Sequence, residues 1–257
     1  MVDFIDRIIG DVKNTIESGY YDVKPVEHEH ARLKNAILSC VKTPVVTELK
    51  TASPSKGVFK RIGSVEETVL LMKKAGAAGI SILTEPNHFQ GSLEVFSVIR
   101  RSVSLPLLMK DFIISRVQVE AASRIGADAV LLIQALFDRG YSEIKLGEMI
   151  RLIHSHGLEV LLETHTEDEF LRAVGSEADL IGINNRDLST MRVDINTTSR
   201  ILSKHGHHGK VVVSESGIES PMHIRLLKKA GAKAFLVGTA VMLADDVEEK
   251  VRQLVED

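Results

Sequence analysis

The sequence predicts an α/β fold: a (β/α)8 barrel of the TIM type carrying an N-terminal helical extension. Three observations predict it. From residue 45 onward, short runs that are apolar on both faces alternate with amphipathic helical stretches, the signature of buried parallel strands joined by crossover helices. Eight such units fit in the 257 − 44 = 213 residues from that point, about 27 residues each, which suits a barrel of roughly 250 residues. The phrase KKAGAAGISIL (73–83) also returns as SRIGADAVLLI (123–133) and KKAGAKAFLVG (228–238), each time a helix end, a glycine turn and a strand. The glycine in each suits a left-handed helix cap. A doubly wound open sheet is the competing fold, and the lack of a GxGxxG fingerprint weighs against it.

The elements follow in order. Ile5, Ile8, Ile9, Val12 and Ile16 recur at helical spacing opposite Asp6, Arg7, Asp11 and Lys13, so 3–19 is read as an amphipathic helix. The polar stretch 20–30, with Pro25, is a connector, and a second helix is expected over 31–41, ended by Pro44. Strands are expected at 45–49, 80–84, 106–110, 129–133, 159–163, 180–184, 211–215 and 235–238. Helices are expected at 64–75, 91–101, 115–125, 142–156, 167–174, 194–204 and 220–230, with a further amphipathic C-terminal helix through Val247, Val251 and Leu254. With no linker or low-complexity tract, 1–257 is read as one domain: extension 1–44 and barrel 45–257.

Composition narrows the function. Lysine plus arginine number 32 against 35 acidic residues, a formal charge of −3, so no basic excess points to nucleic acid. The apolar runs fall far short of the ~20 residues that span a bilayer, and the N-terminus lacks the apolar core of a secretory signal. The single cysteine, Cys40, excludes intramolecular disulfides and Cys-rich zinc sites. In a predicted helix it reads as a small buried hydrophobe. A cytoplasmic protein without nucleic-acid or membrane partners is expected. A monomer is the simplest state, and an oligomer stays open.

Chemistry in such a barrel sits at the C-terminal ends of the strands. Here those ends carry Glu48 and Lys50, Glu85, Lys110 and Asp111, Gln134, Glu163, Asn184 and Asn185, Glu215 and Ser216, then Gly238 and Thr239. A rim of alternating acids and lysines points to a site, since unpaired buried charge is costly; the other reading is rim residues paired in water. Glu48 and Lys50 share one face of a strand. Lys110 and Glu163 come from different strands and are expected to converge, a lysine serving as acid and a carboxylate as base. The loop TASPSKG (51–57) suits a mobile lid over an anionic substrate. The glycine turns SESGI (214–218) and VGTA (237–240) lie where barrels often bind phosphate. His165 follows Glu163 at the rim and serves either substrate or packing. His205, His207 and His208 fall on the stability face, and His28 and His30 are read as solvated.

These segments together resemble the indole-3-glycerol-phosphate synthase family of tryptophan biosynthesis. The resemblance is carried by TELKTASPSKG (47–57), SILTEPNHFQGS (81–92), PLLMKDFIIS (106–115), GADAVLLI (126–133), LLETH (161–165), IGINNRDL (181–188), VSESGI (213–218) and VGTAVM (237–242). It implies a carbon–carbon lyase, a decarboxylase that needs no cofactor and no metal. Its substrate would be 1-(2-carboxyphenylamino)-1-deoxyribulose 5-phosphate, and its products indole-3-glycerol phosphate, carbon dioxide and water. The resemblance implies Lys110 as general acid in ring closure and Glu163 as base in dehydration. Lys50 would bind the substrate carboxylate, Glu48 would hold the lysines, and Asn184 would bond a substrate hydroxyl. Arg186 and Ser216 would line the site, while Ser53, Gly217, Gly238 and Thr239 would hold the phosphate. Phe89, Leu108 and Leu132 would wall the anthranilate ring. The chain departs from the family's usual pattern at Thr51–Ala52, at Gln90 and at Leu33, where an aromatic is usual.

Two other functions compete. A phosphoribosylanthranilate isomerase would need a cysteine–aspartate pair, and Cys40 lies ahead of the first strand. A non-catalytic barrel acting as a binding subunit would not need Glu48, Lys50, Lys110, Glu163 and Asn184 together.

Overall fold

The computed structural model describes residues 4–50, 52–53, 57–58 and 64–256, the four residues of the second and third segments by backbone pairing alone. Eight parallel strands close into a barrel. They are β1 (Val45–Leu49), β2 (Gly79–Leu83), β3 (Leu107–Lys110), β4 (Ala129–Ile133), β5 (Glu159–Thr164), β6 (Leu180–Asn184), β7 (Val211–Glu215) and β8 (Ala234–Val237). Each pairs with its neighbours in sequence, and β1 closes the ring against β8 through Val45–Phe235 and Val46–Leu236. Nearly every strand residue is buried, which is why the runs lack polar alternation: one face meets the helices and the other fills the barrel.

That two-sidedness divides the core. Alternate residues such as Ile80, Ile82, Leu107, Met109, Val130 and Leu132 point outward and pack with Phe96, Phe170 and the other helix residues. The opposite set, including Val46, Leu108, Leu131, Leu161, Val213 and Leu236, fills the interior. The N-terminal helix Phe4–Glu17 belongs to this second cluster through Ile5, Ile8, Ile9 and Val12. Its Asp6 binds Tyr141, while its Asp11 and Thr15 bind His88 and Asn87, so the extension is tied to the loops after β2 and β4.

The helices begin where the sequence supplies a cap. Ser64 with Glu67, Ser115 with Gln118 and Thr166 with Glu169 form reciprocal capping boxes. Ser220 caps a helix with Pro221 in its first turn. The three repeated glycines, Gly76, Gly126 and Gly231, all have positive φ (97°, 83° and 113°), as the left-handed cap requires.

Some boundaries differ from expectation. The second helix is shorter, Leu33–Ser39, because Arg32 and Cys40 at its ends are extended; Cys40 is half-buried and lies past the helix. The stretch expected as one helix from 142 starts at Leu146. Short helices Gln134–Asp138 and Thr239–Met242 follow β4 and β8 without a side-chain cap bond, so nothing in the sequence announced them. The expected lid carries a two-residue antiparallel pairing of Ala52–Ser53 with Gly57–Val58. Its remaining residues, and the Ser53 side chain expected on phosphate, lie outside the described residues.

Candidate active site

The mouth of the barrel opens into a cavity of about 350 Å³ lined by the strand ends. Glu48, Lys50, Lys110, Glu163, Asn184, Arg186, Phe89, Ser216, Gly217, Gly238 and Thr239 all line it, so the structure brings together most of the residues expected from sequence. Two are corrected. Leu132 points outward into the helix layer, because β4 directs Ala129, Leu131 and Ile133 inward and the alternate residues outward. Leu108 does point inward, but it is fully buried below the cavity in the barrel core. The apolar wall is instead Leu83, Phe89, Phe112, Leu131, Ile133 and Leu188. The rings of Phe89 and Phe112 lie 6.0 Å apart.

Lys110 occupies the centre. Its Nζ lies 3.1 Å from Glu163 Oε2 and 3.1 Å from Glu215 Oε2. Burial alone would lower the lysine pKa, but Glu163, Glu215 and Glu48 outweigh it, and the net shift is upward. Lys110 is therefore a firmly held ammonium. Burial, with the nearby charges of Glu163 and Glu48, pushes Glu215 up to about 8 even against the attraction of Lys110. Its Oε1 has no hydrogen-bond partner among the described residues.

Glycine makes this packing possible. A methyl group at Gly182 on β6 would overlap Glu215 Oε1, and one at Gly238 would overlap Glu48 Oε1. Two interior glycines thus open niches for two carboxylates. Gly238 has φ −113°, so its requirement is space rather than a left-handed backbone. Gly217 differs: it has φ 75° and follows Ser216 at φ 66°, a tight left-handed turn directly after β7.

The remaining groups are held by one another. Asn184 Nδ2 donates to Glu163 Oε1 at 2.9 Å, and Asn184 Oδ1 accepts from the Arg186 backbone N–H at 2.9 Å. The carbonyl of Asn184 lies 2.7 Å from His165 Nδ1, so His165 braces the site's edge and lines a neighbouring cavity of about 290 Å³. Lys50 pairs with Glu48 at 2.9 Å. Burial would raise the Glu48 pKa, but Lys50 and Lys110 outweigh it, and Glu48 stays ionised.

Some strand-end acids do other work. Glu85 accepts the backbone N–H groups of Asn87, His88 and Phe89 at 2.7–3.0 Å, which fixes the turn that presents Phe89. Asp111, pushed up to about 6 by burial, accepts from Tyr21, Thr84 and the Phe112 N–H, anchoring the connector under the Lys110 loop. Gln134 bonds Asp138, and Asn185 bonds Ser214. Sequence reading named Glu215 at a strand end without placing it in the site. Its position two residues after inward-facing Val213 was the available signal. His205 pairs with Glu167, the first residue of the helix Glu167–Val174, at 3.1 Å.

Comparison with known proteins agrees with this geometry. A family model described as indole-3-glycerol phosphate synthase matches residues 7–254. The indole-3-glycerol phosphate synthase of Aquifex aeolicus is 42% identical over 223 residues, covering 86% of this chain and 84% of that one. That of Methanocaldococcus jannaschii is 37% identical over 252 residues, covering 96% and 91%. Among solved structures, thiamine phosphate pyrophosphorylase from Pyrococcus furiosus superposes with a TM-score of 0.60 at 19% identity, covering 87% of this chain and 96% of that one, a likeness of fold alone. With a family match across nearly its whole length and relatives well above a third identical, the chain belongs to the indole-3-glycerol phosphate synthase family.

Proposed function

We propose that the protein converts 1-(2-carboxyphenylamino)-1-deoxyribulose 5-phosphate to indole-3-glycerol phosphate, carbon dioxide and water. The observation that carries this reading is the Lys110 ammonium held between Glu163 and Glu215 in a cavity that has an apolar wall on one side. Three cations line the site, Lys50, Lys110 and Arg186, among the carboxylates Glu48, Glu85, Asp111, Glu163, Glu215 and Glu219. Lys50 and Arg186 are the cations beside Lys110 that a substrate carboxylate and phosphate would meet.

The roles follow from position. The anthranilate ring packs on Phe89 and Phe112, and the phosphate lies at the glycine turns of Ser216–Gly217 and Gly238–Thr239, with Ser53 reaching it from the first loop. Binding the phosphate away from the reacting carbons orients them. Lys50 takes the carboxylate, kept in place by Glu48. The ring carbon bearing the carboxylate attacks the ribulose carbonyl carbon while Lys110 gives its proton to the carbonyl oxygen. Loss of carbon dioxide restores aromaticity. The new hydroxyl then leaves as water, protonated by a lysine, as Glu163 removes the proton whose loss completes the indole. Asn184 holds Glu163 for this step and bonds a substrate hydroxyl. The reaction uses no cofactor or metal, and the chain acts as one domain in the cytoplasm without nucleic acid or membrane, a monomer being its simplest state.

Turnover of the deoxyribulose phosphate, followed by indole fluorescence with EDTA present, tests the proposal. Indole formation supports it. Substrate binding by calorimetry without indole would instead make the chain a binding protein, and neither would remove the substrate assignment.

A further inference from the structure

The floor of the barrel, at the end opposite the cavity, holds a cluster that the reaction does not use. His28 and His30 of the connector meet Asp128, the residue before β4, with their ligand atoms all within 4.8 Å of one another. We propose that His28, His30 and Asp128 form a binding site for a divalent transition-metal ion of the zinc type.

The spacing supports this. His28 Nε2 and His30 Nδ1 lie 3.2 Å apart. Two nitrogens at ~2.05 Å from a tetrahedral zinc ion stand about 3.3 Å from each other. The proton placement also fits. His28 Nδ1 lies 3.2 Å from the Val26 carbonyl oxygen, which only accepts, so Nδ1 carries the hydrogen and Nε2 presents a lone pair; in the metal-free protein His30 Nδ1 donates to it, and an ion would replace that shared hydrogen once His30 takes its other tautomer. A backbone carbonyl on the far nitrogen is the usual orienting partner of a metal-bound histidine.

Asp128 is the preorganised third ligand. It is fully buried, and its Oδ2 accepts from Arg100 at 2.7 Å and from the Leu107 N–H at 2.9 Å. Its Oδ1 accepts only the Ala31 N–H at 2.7 Å, which leaves a lone pair on the oxygen that faces the connector. Arg100 shares this carboxylate, so affinity is set by the imidazoles and is modest. Gly126, at φ 83°, keeps the corner open: a side-chain carbon there would come within 3.0 Å of His28 Nδ1. Imidazole and carboxylate favour zinc, nickel or copper over magnesium or calcium. A bound ion would fasten the connector to the base of β4, far from the mouth.

Titrating ZnCl2 into EDTA-stripped, dialysed protein by calorimetry tests this. The expected result is one equivalent bound, weakened more than about tenfold in both His28→Ala and His30→Ala. Zinc is also expected to raise the melting temperature of the unsubstituted protein and not of the variants. His30 is exposed, so His30→Ala keeps the fold even if His28→Ala does not. No binding, or binding unchanged in His30→Ala and lost on substituting His207 and His208, overturns the proposal.

Discussion

Replacing Gly182 by alanine asks how much of the site depends on a single missing methyl group. The added carbon would overlap Glu215 Oε1 and lie 3.3 Å from the Glu163 Cα. Both neighbours are fixed in strands, so the Glu215 side chain has to swing away and give up its 3.1 Å contact with Lys110. Overpacking of this kind costs ~1–3 kcal/mol. At ~2–4 °C per kcal/mol for a chain of this size, the melting temperature is expected to fall by roughly 2–12 °C. Lys110 keeps Glu163 but loses one of the carboxylates that raise its pKa. Displacing it by ~1 Å is expected to reduce turnover on the order of a hundredfold. The assay pairs indole fluorescence with a thermal melt. The control is Gly10→Ala, an exposed helix position with nothing within 4 Å of the new carbon, where a gain of ~0.5–1 kcal/mol is expected. Wild-type turnover and melting temperature in Gly182→Ala would refute the niche argument. A lowered melting temperature with full turnover would make Glu215 a packing residue only.

Lys110→Ala is expected to lower turnover by at least ~100-fold, with circular dichroism showing a retained fold; near-normal indole formation would remove the lysine from its role. The pH dependence of stability follows from two carboxyls whose folded pKa values lie above their ordinary ones, Asp111 at about 6 and Glu215 at about 8. Between their ordinary values of 3.8 and 4.5 and these raised values the folded state holds the extra protons, so both contributions are complete at low pH and are lost as pH rises. Melts of Glu215→Gln between pH 5 and 8 are expected to fall less steeply with pH than those of the unsubstituted protein, and parallel curves would contradict the shift. Ile8→Ala empties a fully buried position under the N-terminal helix, a loss of ~2–5 kcal/mol, and hydrogen exchange is expected to rise across Phe4–Glu17. Unchanged protection there would mean that the extension is not held by its apolar face.

Much of the architecture was legible because the barrel writes its period into the chain. Strands buried on both faces have to be short and apolar, and capped helices have to separate them, so β1, β4, β6 and β7 coincide with their expected limits. The glycines of the three repeated phrases were readable because a left-handed cap has almost no other residue to use. The uncapped short helices were not, because they are held by the loops around them and not by a local signal.

The site divides along the same line. By itself the sequence determined which residues end each strand, and since barrel chemistry gathers at those ends, it determined Lys50, Lys110, Glu163 and Asn184 as the polar set of the mouth. Only the tertiary structure decided which side chains face in and how deep they lie. Leu132 turned out to face the helices, Leu108 lies below the cavity, and Phe112 and Leu131 form the wall. Only the structure placed Glu215 on Lys110, a contact between residues 105 apart in sequence, and showed that Gly182 makes room for it. The physical reason is that strand periodicity is local, whereas depth, niche and charge pairing are set by neighbouring strands whose register no local pattern encodes.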